Sequence, residues 1–153
     1  MTSFRAIILA GAILVATGFD ASAEKRVALV IGNSSYQNVP RLANPSRDAT
    51  DIGASLGRMG FSVATLMNAT ANETRKALIE FGRSALGSEM AVVFYAGHGI
   101  EIGGENWLIP VEAELLNDTD VENEAVSLKA IVLQVSKARQ LGRVTNWPCL
   151  LMR

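Results

Sequence analysis

His98 is the one histidine of this 153-residue chain, and it stands between two glycines in Ala96-Gly97-His98-Gly99. An imidazole titrates near neutrality and is the natural general base among side chains. A histidine packed into a core would not need backbone freedom on each side. One that meets a substrate in a tight loop would, because glycine permits unusual dihedrals and close approach. The bland alternative is a surface-loop histidine with no role. The position favours chemistry, since loops beyond the strands of a scaffold carry a disproportionate share of it. Cys149 is the only cysteine, so no internal disulfide is possible. A lone thiol becomes a nucleophile when a base is positioned beside it and the backbone around it is held.

These residues need elements to hold them, and the body of the chain alternates strand and helix. Val27 to Ile31 is an apolar run ended by Gly32-Asn33, which suits a strand buried on both faces. Ala49, Ile52, Leu56 and Met59 recur at helical spacing, with Ser46 placed as the N-cap of a helix to Met59. Gly60 ends that helix, and Phe61 to Leu66 reads as a second strand. Thr70 or Asn72 can cap the next helix, which runs to about Leu86 before Gly87. Met90 to Tyr95 is a third strand and stops at the glycine-flanked histidine. Ile100 to Ile109 reads as a hairpin turning at Gly103-Gly104, and a last helix spans roughly Leu128 to Leu141. This order predicts an α/β fold, with a mostly parallel sheet and helices on both faces. In such sheets the site forms beyond the carboxyl ends of the strands, which here means 32–42 and 97–100.

Composition excludes several functions. Nearly half the residues are hydrophobic and 19% are charged, so a buried core is expected and disorder is not. A net charge of -1 gives no electrostatic reason to expect nucleic acid or an anionic membrane as partner. One histidine and no CxxC spacing give no ground to expect a protein metal site, and no GxGxxG or GxxxxGK[ST] loop follows the first strand. No metal and no cofactor is therefore expected. The acidic stretch Glu112 to Glu124 lacks an EF-hand pattern and reads as a solvated loop. At the start, Arg5, the apolar run Ala6 to Gly18 and Ala21-Ser22-Ala23 form the pattern of a signal peptide over residues 1–23. The apolar run is short of the roughly 20 residues that span a bilayer. The mature chain of residues 24–153 is thus expected to be exported to the periplasm or outside, one domain free of the membrane. Its oligomeric state is left open.

With these segments in order, a resemblance emerges. Leu29-Val30-Ile31-Gly32-Asn33, Tyr36, Leu42-Ala43-Asn44-Pro45 and Asp48-Ala49 are followed by Tyr95-Ala96-Gly97-His98-Gly99 and Leu108-Ile109-Pro110-Val111. Together they resemble the bacterial caspase-like cysteine peptidases related to metacaspases, from about Arg26 to Leu141. The resemblance implies a caspase-like three-layer sandwich and a cysteine-type endopeptidase acting on peptides or proteins. It makes His98 the base and acid of a His/Cys dyad. It also places Asp48 at the S1 pocket, where a carboxylate would favour Arg or Lys at P1. An equally good reading of Asp48 is a first-turn acid favoured by the helix dipole.

The departure from the family is at the end of the chain. The resemblance implies a fourth apolar strand ending in Asp-Ala-Cys, whereas here Arg143-Val144-Thr145-Asn146-Trp147-Pro148 precedes Cys149. Cys149 follows His98 by about 50 residues, the caspase spacing. Yet Arg143, Asn146 and Pro148 interrupt an apolar run, so the segment reads poorly as a central strand. With suitable codons, a shift of frame beginning in the Asn146 codon would turn the tail into an apolar strand ending in Asp-Ala. A sheet short of that strand would be marginal or aggregation-prone. The alternative to a working peptidase is therefore a catalytically dead caspase-like fragment, or a pseudo-peptidase that binds partners.

Overall fold

In the computed structural model the chain is described over residues 25–139 and, as backbone, 143–146. Strand β1 (Arg26–Gly32) leads into helix α1 (Pro45–Arg58), strand β2 (Ser62–Met67), helix α2 (Ala71–Ala85) and strand β3 (Met90–Ala96). A hairpin of β4 (Gly99–Ile102) and β5 (Glu105–Leu108) follows. Then come α3 (Asp120–Glu124), β6 (Val126–Ser127), α4 (Leu128–Val135) and β7 (Arg143–Asn146). The main sheet is parallel in the order β2-β1-β3-β7, and β4-β5-β6 form a small antiparallel sheet beside it. The α/β class, the parallel sheet and the helices on both faces agree with the sequence reading.

β1 is central, and its alternate residues serve two cores. Val27, Leu29 and Ile31 pack with Ala91, Val93 and Tyr95 under Leu78 and Phe81 of α2 and Ile131 and Val135 of α4. Ala28, Val30, Phe94 and Ala96 pack on the other face against Ala49 and Leu56 of α1. Ile52 and Met59, which share the helical spacing of that face, are exposed at 36% and 55%. Gly32 lets α1 approach closely: a Cβ there would lie 2.7 Å from both the Ala49 Cβ and the Pro45 carbonyl oxygen.

Local chemistry explains where the elements begin. Helix α1 starts at Pro45, one residue ahead of the expected Ser46 cap. Proline suits the first helical position, where its missing N–H costs nothing. Ser46 sits in the first turn, its N–H and hydroxyl bonded to the Ser34 hydroxyl at 3.1 and 2.9 Å. Thr70 caps α2 reciprocally: its hydroxyl accepts from the Glu73 N–H, and the Glu73 carboxylate accepts from the Thr70 N–H. Those bonds, the backbone one first, hold the Glu73 carboxyl below its usual range.

Three expectations need correction. The acidic stretch is not all loop: residues 120–124 form a helical turn that buries Val121, and Val126–Ser127 add a third strand to the small sheet. Val121, Ala125 and Val126 supply the apolar surface that anchors it. Helix α4 ends at Val135 rather than near Leu141, and the Arg139 N–H donates to the Ser88 carbonyl just ahead of β3. That return lets the chain re-enter the sheet in the parallel sense. Arg143–Asn146 are then a strand in the fourth position, paired with Val92–Tyr95. Main-chain pairing does not require an apolar run, and Pro148, the main objection to a strand, lies beyond it. The signal-peptide residues 1–23 and Cys149 are outside the described residues. No helix among the described residues is long and apolar enough to cross a membrane.

Candidate active site

β3 ends at Ala96, and the chain turns through Gly97 to present His98 before β4 starts at Gly99. Two tyrosine hydroxyls force glycine at 97: a Cβ would stand 2.5 Å from that of Tyr95 and 2.6 Å from that of Tyr36. Both hydroxyls grip the backbone of the histidine. The His98 N–H donates to the Tyr36 hydroxyl at 2.6 Å, and the Tyr95 hydroxyl donates to the His98 carbonyl at 2.7 Å. The Ile109 N–H donates to the same carbonyl, and the two hydroxyls lie 3.3 Å apart. His98 is therefore a buried, clamped residue, 3% exposed, rather than a free surface-loop histidine.

Its ring is set with equal care. The Tyr36 ring lies against it at 4.5 Å between centroids, tilted by 58°. Nε2 lies 2.9 Å from the Pro40 carbonyl oxygen. A carbonyl can only accept, so Nε2 carries the hydrogen, and in the neutral ring Nδ1 is the basic nitrogen. The neutral ring thus has a fixed tautomer, with its lone pair on the nitrogen nearer the backbone.

The loop that carries Pro40 is itself held at several points. The Asn68 side chain accepts from the N–H groups of Ser34 and Ser35 at 2.9 and 2.8 Å. Asn68 does this from a left-handed conformation, φ 52°, which asparagine tolerates better than most residues. Buried Asn33 accepts from the Ala69 N–H, and its own N–H donates to the Ala96 carbonyl. The Gln37 N–H donates to the Val111 carbonyl, and the Asn38 amide donates to the carbonyls of Glu112 and Ala113. The turns after β1, β2 and β3 are in this way tied together at the carboxyl edge of the sheet.

The expected site residues fall out differently. His98 stands just beyond the carboxyl end of β3, buried and bonded as described. Asp48 lies half-buried in the first turn of α1, and its carboxylate bonds to no described residue. A first-turn carboxylate is favoured by the helix dipole. Cys149 is outside the described residues, so no geometry joins it to His98. Tyr36, Pro40, Asn68 and Tyr95 belong to the site through their contacts, although spacing assigned none of them a role. Tyr36 and Tyr95 stood within the motifs of the resemblance, whereas Asn68 and Pro40 carried no signal beyond their place in turns. Among the described residues no group of three or more His, Cys, Asp or Glu side chains could hold a metal ion.

The family model for the caspase domain, peptidase C14, matches residues 25–146, and the chain belongs to that family. It is 35% identical over 91 residues to human mucosa-associated lymphoid tissue lymphoma translocation protein 1, and likewise to the mouse homolog. Each match covers 60% of this chain and 11% of the relative, so the chain spans about a tenth of the curated relatives it matches. Among solved structures, a protein of Geobacter sulfurreducens superposes with a TM-score of 0.59 at 22% identity, over 80% of this chain and 48% of that one. The Drosophila initiator caspase Dronc superposes with a TM-score of 0.58 at 12% identity, over 89% and 58%. These likenesses establish the caspase fold.

Proposed function

We propose that this chain is the catalytic domain of a thiol-dependent endopeptidase in which His98 is the general base and acid. The observation that carries this reading is the pinning of Nε2 by the Pro40 carbonyl, which leaves Nδ1 to take a proton. Asn146 pairs with Tyr95, and His98 and Cys149 each stand three residues further along their chains. Cys149 is the one thiol of the chain and is the nucleophile of this reading. In the reaction, Nδ1 takes the Sγ proton and the thiolate attacks the peptide carbonyl carbon. The C–N bond breaks as the imidazolium returns its proton to the leaving amine. Water, deprotonated by His98, then adds to the thioester carbonyl; the C–S bond breaks, the acid leaves, and the imidazolium returns its proton to Sγ.

The substrate class follows as a protein or peptide, with Asp48 favouring Arg or Lys at P1. The same reading takes residues 1–23 as a signal peptide and the mature chain as exported. A second reading, a caspase-like domain that binds a peptide without cutting it, is favoured by Trp147-Pro148 standing where the resemblance implies Asp-Ala. Hydrolysis of fluorogenic Arg and Lys peptides separates the two. The peptidase reading expects turnover that is blocked by thiol alkylation and lost in both His98→Ala and Cys149→Ser, with Asp48→Asn losing the basic preference. Peptide binding by the parent chain with no thiol-sensitive turnover would establish the second reading instead.

A further inference from the structure

Away from the histidine, β2 is the outermost strand of the sheet, and no described element pairs with its outer side. Edge strands of natural sheets are usually guarded by charge, proline or a bulge against pairing with another chain. β2 reads Ser62-Val63-Ala64-Thr65-Leu66-Met67 and carries none of these guards. Val63 and Leu66 are half-buried, the other four residues are exposed and none is fully buried, unlike those of β1. On one face α1 covers it. On the other, α2 packs over β1 instead, leaving two grooves between α2 and β2 of about 400 and 250 Å³.

Glu73, Lys76 and Glu80 of α2 line the larger groove, and Arg83 follows them on the exposed side of the helix. Glu73, Lys76, Glu80 and Arg83 alternate in sign along three turns, and all four are exposed. Lys76, Glu80 and Arg83 form no ion pair with any described residue. Glu73 bonds to Thr70 through one carboxylate oxygen only. Such a series is self-complementary when two copies run antiparallel.

We propose that two copies of this chain associate through β2, continuing one sheet across a two-fold axis normal to it. An axis midway between Thr65 and Thr65 of the partner subunit sets β2 antiparallel to its counterpart, each residue 65 opposite itself, and the same axis sets the α2 helices antiparallel. The grooves place Thr65 and Leu66 level with Ala77 and Glu80, so the axis passes near the middle of α2. Lys76 then faces Glu80 of the partner subunit, Glu73 faces its Arg83, and each pair occurs twice, as an isologous interface requires. Strands are about 4.8 Å apart, so helices seated over the two β1 strands stand roughly 14 Å apart. Helices that interlock through apolar side chains need about 8–10 Å. The wider gap suits long Lys–Glu and Glu–Arg pairs, which would bridge over the joined grooves while the strands supply the main-chain hydrogen bonds. This interface lies at the opposite edge of the sheet from β7, so it is independent of the catalytic reading.

The test is sedimentation velocity on the chain and its charge variants, with amide hydrogen exchange across β2. The parent should form a discrete dimer that dissociates as salt rises, with the outward amides of β2 protected only in the dimer. Lys76→Glu places like charges together twice and should raise the dimer dissociation constant about tenfold or more. The charge swap K76E/E80K restores both pairs and should restore the dimer, an outcome no folding defect would mimic. Ala64→Lys should leave a monomer with unchanged circular dichroism; should it fail to fold, the charge swap still decides. A parent that is monomeric at submillimolar concentration overturns the proposal, as does a dimer or aggregate indifferent to the charge variants. Protection of β2 in a monomer would also overturn it, because another segment of the chain would then cover the edge.

Discussion

Replacing Gly97 with alanine tests the clamp on His98. The new Cβ would lie 2.5 Å from the Tyr95 hydroxyl and 2.6 Å from that of Tyr36, roughly 1 Å inside ordinary van der Waals contact. Neither hydroxyl can retreat freely, because both tyrosines are about 95% buried and each holds one polar group of the His98 backbone. Overpacking of this kind costs about 1–3 kcal/mol. Breaking two buried hydrogen bonds adds about 1 kcal/mol each. The expected loss is about 3–5 kcal/mol, read from urea unfolding followed by circular dichroism. Gly57→Ala is the internal control. That glycine lies within α1 with nothing within 4 Å of its Cβ position, so the change should stabilise by up to about 1 kcal/mol through helix propensity. A Gly97→Ala protein within about 1 kcal/mol of the parent would refute the clamp, since the hydroxyls would then have moved at little cost.

Other consequences are open to direct measurement. With one histidine in the chain, its ring nitrogens can be read by nitrogen–proton correlation spectroscopy without assignment. The neutral ring should carry its proton on Nε2, and a proton on Nδ1 would break the proposed bond to Pro40. Glu73→Gln should destabilise the protein at neutral pH, by an amount that shrinks in acid. The Glu73 carboxyl is held below its usual range in the folded state, so its contribution is complete above the unfolded value and is lost as pH falls through the folded one. A difference between parent and variant that is constant with pH would remove the capping box as its cause. Asn68→Gly keeps access to positive φ but removes the acceptor of two N–H groups, and should cost about 1–3 kcal/mol in urea unfolding. No loss there would show that the loop after β1 does not depend on that side chain.

What the sequence made legible was whatever had a strong local signal. The apolar runs of β1 and β3 are buried on both faces, and a strand in that setting has no alternation to disguise it. The glycine pair at 103–104 takes positive φ at both positions, so the hairpin could be read from composition. His98 stood out because a lone histidine between glycines has few purposes. Long-range pairing was hidden. Arg143–Asn146 carry no apolar pattern, and only the register with Val92–Tyr95 reveals a strand. The short α3 and β6 were masked by the surrounding carboxylates, although Val121 and Val126 supply their anchoring surface. Pro40 serves through a backbone carbonyl, which residue type does not encode. Asn68 acts through a left-handed turn whose partners lie more than thirty residues earlier in the chain.

The most direct measurement of the central claim is covalent labelling of the chain with a peptidyl acyloxymethyl ketone bearing arginine at P1, followed by peptide mass spectrometry. A working dyad predicts one adduct, on Cys149, formed at a saturable rate that falls by orders of magnitude in His98→Ala while a simple alkylating agent still reacts. Labelling that is absent, or that proceeds equally fast without His98, would contradict the assignment of His98 as the base of a thiol peptidase.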